Sequence, residues 1–436
     1  MKRNIYTLLL LSVLMVSLQA SIAGVKGHNH VRAFYGDKAN NKVVVIDVKR
    51  MQLIKKVATE GLTPYPVDRA GYLDKVYAIT RGSSSMDVID ANTLDNLGLL
   101  KLNHKPRSGE SYNSRLGLAL IAGADKPLTS VIDVVNDIVV AEVGRDEFTT
   151  QTRDNGGSIS SGHPAWLTKD RFVVIDRAKR VIQLWGIEKN QVANSLDYDW
   201  FVFLLDEVDT PTAVHHMLHR NTSMQPKSEK RTFYALAEGK SANDDGEVIP
   251  PAILELRLSE RDRLSLVDQI SLPGDPTIMS SHHADFHPDG QHIYVGSSEG
   301  NLFVIDRETR SIISTIETGL GTGHTRFVPA RNLAIVTNHH DTFVTVINTE
   351  NHSKVKDIVV SGPKINGEIL QSHTNYVSPD SNFYYAFASD NGTFFELNLK
   401  KLKVYRTLHT GGVPVQGSYI NWDDFSYSAV SSSSGM

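Results

Sequence analysis

The sequence predicts an all-β protein: a seven- or eight-bladed β-propeller of four-stranded antiparallel blades, closed by its N- and C-terminal strands. Three observations carry this. Val43-Val44-Val45-Ile46-Asp47, Met86-Asp87-Val88-Ile89-Asp90 and Ser130-Val131-Ile132-Asp133 repeat one strand, and their last aspartates stand 43 residues apart. Phe303-Val304-Ile305-Asp306 and Val344-Thr345-Val346-Ile347-Asn348 repeat it later at a spacing of 42. A period of about 40–45 residues built of short β-rich segments marks propeller blades. Finally, helix-period apolar segments are nearly absent.

From the N-terminus, Lys2 and Arg3 precede an apolar stretch over 5–18, and Ser21-Ile22-Ala23 supplies small residues for cleavage. This has the form of an export signal, and the apolar run is too short for a stable transmembrane helix. The expected organisation is a signal peptide over 1–23 and one propeller domain over 24–436. The mature chain is then expected in a bacterial periplasm, with no membrane span.

Each unit carries four strand signals. Around His283 they run over His283–Phe286, His292–Gly296, Asn301–Asp306 and Ile312–Glu317. The intervening turns are Pro288-Asp289-Gly290 and Ser-Ser-Glu-Gly. Val, Ile, Phe and Tyr between Gly, Asn and Asp turns describe buried antiparallel strands. Fourth strands are expected near Leu53, Leu99, Val139, Val192, Leu266, Ile313, Val355 and Val404, which favours eight blades over seven. The unit beginning at Val31 has no innermost strand of its own, and Val415–Ile420 is expected to supply it. The unit near His215 is degenerate, with polar insertions over 225–230 and 239–251.

Histidine recurs at one point of five successive units. The segments are Gly-His-Pro-Ala-Trp at His163, Val-His-His-Met-Leu at His215 and His216, and Ser-His-His-Ala-Asp-Phe at His282 and His283. Gly-His-Thr-Arg-Phe at His324 and Ser-His-Thr-Asn-Tyr at His373 complete the series. The start of each first strand and the loop between strands two and three share one face of a propeller. His339 and His340 fall in such a loop, and His104 lies just before a first strand. The candidate metal ligands are therefore His163, His215, His216, His282, His283, His324, His340 and His373, at one mouth of the channel. A single histidine there is ordinarily a structural hydrogen-bonder. Five in succession point to a metal or cofactor site, since imidazole is the commonest metal ligand.

The other units carry Pro64-Tyr65-Pro66, Gly109-Glu110-Ser111 and Gln416 at the same point, so the histidines form an arc. Asp68, Glu110 and Asp341 are candidate carboxylate ligands or acceptors that orient an imidazole. His28, His30, His287 and His292 fall towards the opposite face or the surface, and His352 and His409 read as surface residues.

Phe286-His287-Pro288-Asp289-Gly290, Ile293-Tyr294-Val295-Gly296 and Leu302-Phe303-Val304-Ile305-Asp306 resemble the YVTN-type propeller repeat. That resemblance implies a fold and leaves chemistry open. The inner-strand histidines are similar to those of nitrous-oxide-reductase-type copper propellers, of d1-haem propellers of nitrite reductases and of periplasmic zinc-chaperone propellers. They imply zinc or copper as cofactor.

Composition narrows the reading. The chain has no cysteine, which excludes disulfides, thiolate copper centres, iron–sulfur clusters and Cys-based haem attachment. A His-only donor set suits Zn²⁺ or Cu²⁺ over Mg²⁺ or Ca²⁺. Net charge is −4, and −6 once Lys2 and Arg3 leave with the signal, which argues against nucleic-acid binding. No Ser-His-Asp order, phosphate loop or carboxylate pair suggests a hydrolase. The expected function is metal carriage or homeostasis, with a periplasmic transport or electron-transfer protein as partner. The alternatives are a copper-dependent oxidoreductase and a metal-free interaction scaffold.

Overall fold

Eight four-stranded antiparallel sheets follow one another along the chain. The computed structural model describes residues 31–70, 73–148, 161–191, 198–218, 231–239, 247–274, 281–363 and 371–422. Blade 1 is built from Pro414–Asn421, Val31–Asp37, Lys42–Asp47 and Gln52–Ala58, counted outward from the axis. The C-terminal strand thus supplies the innermost position of the first blade, pairing Val31 with Asn421 and Arg32 with Ile420. This closes an eight-bladed propeller.

Strand alternation explains why eight sheets pack into one body. In the third strand of blade 1, Val43 and Val45 bury against Val67, Val76 and Ile89 of blade 2. Val44 and Ile46 point the other way, against Tyr385, Phe387 and Phe394 of blade 8. Successive side chains leave a strand on opposite faces, so a wholly apolar strand serves two interfaces. Each fully buried Val or Ile contributes about 1.5–3 kcal/mol. Fourth strands lie at the outside and alternate: Ser311–Glu317 reads exposed, half-buried, exposed along most of its length.

The repeated Ile-Asp also has a local cause. Asp47 Oδ1 accepts the Arg50 N–H at 2.8 Å, and Asp133 Oδ1 accepts those of Val135 and Asn136 at 2.9 and 3.1 Å. A short acidic or amide side chain folds the turn after the strand by bonding its own backbone. In all eight blades a register shift separates the third and fourth strands. Such bulges raise the local twist.

One fourth strand lies elsewhere than expected. In blade 4 the third strand is Val181–Gln191 and the fourth is Tyr198–Asp209; Val192, near which a fourth strand is expected, lies outside the described residues. These strands are 11 and 12 residues long, about twice their counterparts, and that shifts the period.

The first strands matter most for function. Register shifts interrupt them at Val214/His216, Ser281/His283, Thr322/Thr325, Pro64/Val67 and twice within Pro106–Asn113. In blades 4 and 8 the first strand shrinks to Ala165–Trp166 and Asn375–Val377. The residues freed from the ladder bond across to the next blade instead: His163 N–H to the His215 carbonyl at 2.9 Å, and His373 N–H to that of Val415 at 3.2 Å. An extra residue bends a strand and re-aims its side chains, which turns the histidines inward. Among the described residues no helix is long and apolar enough to cross a membrane.

Candidate metal centre

Seven histidines from blades 4 to 8 form a continuous arc. His163 stands before the first strand of blade 4, its ring 5.1 Å from His215 and 6.3 Å from His216. His215 and His216 lie 5.9 and 6.2 Å from His283 of blade 6. His283 is 3.8 Å from His324, 5.6 Å from His339 and 5.5 Å from His373. His339 and His373 stack at 4.1 Å. His215, His283, His324, His339 and His373 are buried, whereas His163 and His216 are half-buried.

Within the arc, His283, His339 and His373 each offer one ring nitrogen, and the three lie within 4.8 Å of one another. His339 shows how such a nitrogen is prepared. Its Nδ1–H donates to the Gln371 carbonyl at 3.0 Å, leaving Nε2 to accept. That buried Nε2 has no hydrogen-bond partner. Gln371 is itself held, its amide donating to the carbonyls of Asp341 and Phe343 at 2.8 and 2.6 Å. Burial pushes the His339 imidazolium down to about 3, against the opposing Gln371 bond and with help from His324 and His340. A Cβ at Gly323 would collide with the His339 ring, which explains the glycine in Gly-His-Thr.

Carboxylates stand behind two other imidazoles. His215 Nδ1–H donates to Glu238 Oε1 at 3.0 Å, and Glu238 also pairs with the buried guanidinium of Arg177. His324 Nδ1 lies 3.6 Å from Asp285 Oδ2, which accepts the Thr325 N–H at 2.7 Å. A partner on one ring nitrogen fixes the tautomer and aims the other. The donor chemistry therefore fits a transition-metal ion: imidazole nitrogens, orientation from behind, and no thiolate.

Of the expected ligands, His340 lies away from the arc, and the side chain of His282 lies outside the described residues. His340 is exposed and His339 carries the ring into the arc, because His339 and His340 N–H groups bond successive carbonyls, of Gly321 and Leu320, and the chain turns there. His282 is the extra residue of the Ser281/His283 register shift, and its side chain lies outside the described part of the structure. His104 stays away from the arc: its Nε2 bonds Ser130 Oγ at 2.8 Å, and burial lowers its pKa.

Two of the expected carboxylates bond backbone N–H groups. Asp68 Oδ2 accepts the Gly109 N–H at 3.1 Å, tying blade 2 to blade 3. Asp341 Oδ2 accepts the Leu320 N–H at 2.9 Å. The Glu110 side chain lies outside the described residues, as do His28 and His30. Glu238, Asp285 and Gln371 went unrecognised in the sequence. One signal did exist: Glu238 follows the second strand of blade 5 as His339 follows that of blade 7.

The rest of the mouth differs. Blades 2 and 3 present Arg81 over the Tyr65 ring at 3.9 Å, and Arg81 Nε donates to the Arg107 carbonyl at 2.9 Å. The Tyr65 ring meets His373 at 6.3 Å, joining the two halves.

The chain is therefore a β-propeller with a histidine-lined mouth, and known structures of that fold resemble it. Dihydro-heme d1 dehydrogenase NirN in complex with DHE is 13% identical, with a TM-score of 0.62 over 90% of this chain and 75% of that one. Apo AztD from Citrobacter koseri is 13% identical, with a TM-score of 0.56 over 90% and 98%. BamB from Moraxella catarrhalis is 12% identical, with a TM-score of 0.51 over 79% and 88%. These likenesses are of fold alone. No protein-family model matches the sequence, that of the YVTN repeat included, and neither does any curated protein.

Proposed function

We propose that this propeller binds zinc or copper at the histidine mouth and serves in metal carriage or homeostasis. The observation that supports it is the buried trio of His283, His339 and His373, whose nitrogens converge within 4.8 Å. Three imidazoles leave a fourth position for water, for His324 or for an exchanging ligand. Carriage needs only affinity and release, so it asks the least of the site. The leader expected over 1–23 supports export, and a periplasmic transport protein is then the natural partner.

A second reading has its own observation. His163, His215 and His216 form a neighbouring group, 5.9 Å from His283 at the His215 ring. Two groups side by side give room for more than one ion, as a copper oxidoreductase fed by an external carrier would require.

One experiment separates the readings. Protein purified without a His-tag is analysed for metal, then reconstituted with Zn²⁺ and with Cu²⁺. A colourless, exchangeable stoichiometric zinc is expected for carriage. Two or more coppers with a visible spectrum, lost when the arc histidines are replaced, favour the oxidoreductase. No stoichiometric metal after either reconstitution overturns both and leaves the interaction scaffold.

A further inference from the structure

The opposite face carries a second gathering of histidines that the sequence scatters. His287 follows the first strand of blade 6 and opens the Pro288-Asp289-Gly290 turn, and His292 begins the second strand. His352 sits at positive φ in the turn between the last two strands of blade 7. That turn packs against blade 6, bringing the His352 ring 4.6 Å from His292 and 6.1 Å from His287.

Asp289 stands between the imidazoles. Its Oδ2 lies 2.8 Å from His287 Nδ1 and 2.7 Å from His292 Nδ1, so two ring nitrogens converge on one oxygen. Its Oδ1 is spent on the turn, accepting the N–H groups of Gln291 and His292 at 2.7 and 3.1 Å. His287, Asp289 and His292 each present one ligand atom, all within 4.8 Å. None is sealed away: the His287 and His292 side chains keep 14% and 17% exposure and Asp289 keeps 36%.

His287 Nδ1 is in conflict with its surroundings. The Asp289 backbone N–H points at it from 3.2 Å, while Asp289 Oδ2 lies 2.8 Å away. A protonated Nδ1 satisfies the carboxylate and opposes the backbone donor. An unprotonated Nδ1 satisfies the donor and opposes the carboxylate. A cation shared by Nδ1 and Oδ2 removes the repulsion between the nitrogen lone pair and the carboxylate in the second arrangement, in exchange for the 3.2 Å bond from the Asp289 N–H. A tetrahedral site with bonds of about 2.0–2.1 Å spaces its ligand atoms about 3.4 Å apart. Modest ring rotations at a partly exposed turn reach that spacing.

We propose that His287, Asp289 and His292 hold a second transition-metal ion on the face opposite the central arc, with His352 as the fourth ligand. His352 Nδ1 is already hydrogen-bonded to the Tyr294 hydroxyl at 2.7 Å, which leaves Nε2 for the metal and a neutral partner behind it. Three nitrogens and one carboxylate oxygen, without thiolate, select a borderline divalent ion of the Zn²⁺ or Co²⁺ kind. The ion would add a link between blades 6 and 7 beside the bonds that Tyr294 and Ser314 already make to His352. The site stands independently of the central one.

The test uses the full chain without a His-tag, stripped with EDTA and titrated with CoCl₂, whose ligand-field bands report tetrahedral nitrogen–oxygen sites. H287A/H292A is expected to lose one equivalent of Co²⁺ with its band, and H352A to bind that equivalent at least tenfold more weakly. H283A/H373A, which removes central ligands, is expected to keep it. Folding of each variant is followed by circular dichroism. Should H287A/H292A disrupt folding, the single variant H287Q serves, with the same expected loss. Unchanged Co²⁺ stoichiometry in the folded rim variant overturns the proposal, as does loss of this equivalent in H283A/H373A.

Discussion

The central arc and the rim group both converge imidazoles, yet they are built in opposite ways. The arc draws one or two histidines from each of five blades, over 163–373, and places its carboxylates behind the rings, as Glu238 stands behind His215. The rim group takes three ligand candidates from one turn and places its carboxylate between the rings. The trio of His283, His339 and His373 is buried; the rim is partly exposed. Burial keeps His339 unprotonated far below neutral pH, so protons compete little for that ring. At the rim it is the carboxylate that is held ionised. Burial raises Asp289, but bonds from the His292 ring, the Gln291 and His292 N–H groups and the His287 ring outweigh this and hold it at about 2. A deep site is prepared by desolvation, a shallow one by charge.

The contrast breaks most sharply on the trio itself. H283A/H373A is expected to abolish central binding of zinc or copper while leaving the propeller folded, as metal analysis and circular dichroism would read. Retained full occupancy would mean the ion sits elsewhere. Next in size is E238Q. It strands the buried Arg177 guanidinium, and removing one partner of a buried pair costs about 3–5 kcal/mol. Denaturant unfolding is expected to show that loss, and an unchanged midpoint would show that Arg177 finds another partner.

Smaller effects test how the rings are aimed. D285N should weaken metal binding about 10–100-fold through His324, measured by competition with a chelator of known affinity. Equal affinity in variant and wild type would remove Asp285 from the site's support. The smallest expected effect is on the rim. The folded Asp289 value of about 2 lies below the ordinary 3.8, so its ionised form adds stability above about pH 4 and loses it as pH falls toward 2. In EDTA, D289N should therefore melt below wild type at neutral pH, with the gap closing under acid. A gap constant with pH would mean the charge contributes nothing.

Much of the arc was legible in the sequence because it rides on the repeat. Residues at the start of a first strand reach the axis in every blade, so the register places His163, His216, His283, His324 and His373 at one mouth. His339 and His340 share a loop, and only the path of the backbone through Gly321 and Leu320 decides which ring turns inward. Asp285 is a single carboxylate that serves a ring of the next blade, and Glu238, though it holds the repeat position that His339 holds in blade 7, gains its role only from the fold that sets it behind His215 and beside Arg177. The rim was read as ordinary surface because His352 arrives from the next blade, 60 residues beyond His292.

By itself the sequence determined the blade unit, since alternation of apolar residues and the turn-forming Asp after each Ile are local properties. It also determined which units carry histidine. The tertiary structure decided the closure at eight through Pro414–Asn421, the displaced fourth strand of blade 4, and the partners of each imidazole. Those depend on contacts between segments distant in the chain, which the packing of whole sheets brings together and no local pattern encodes.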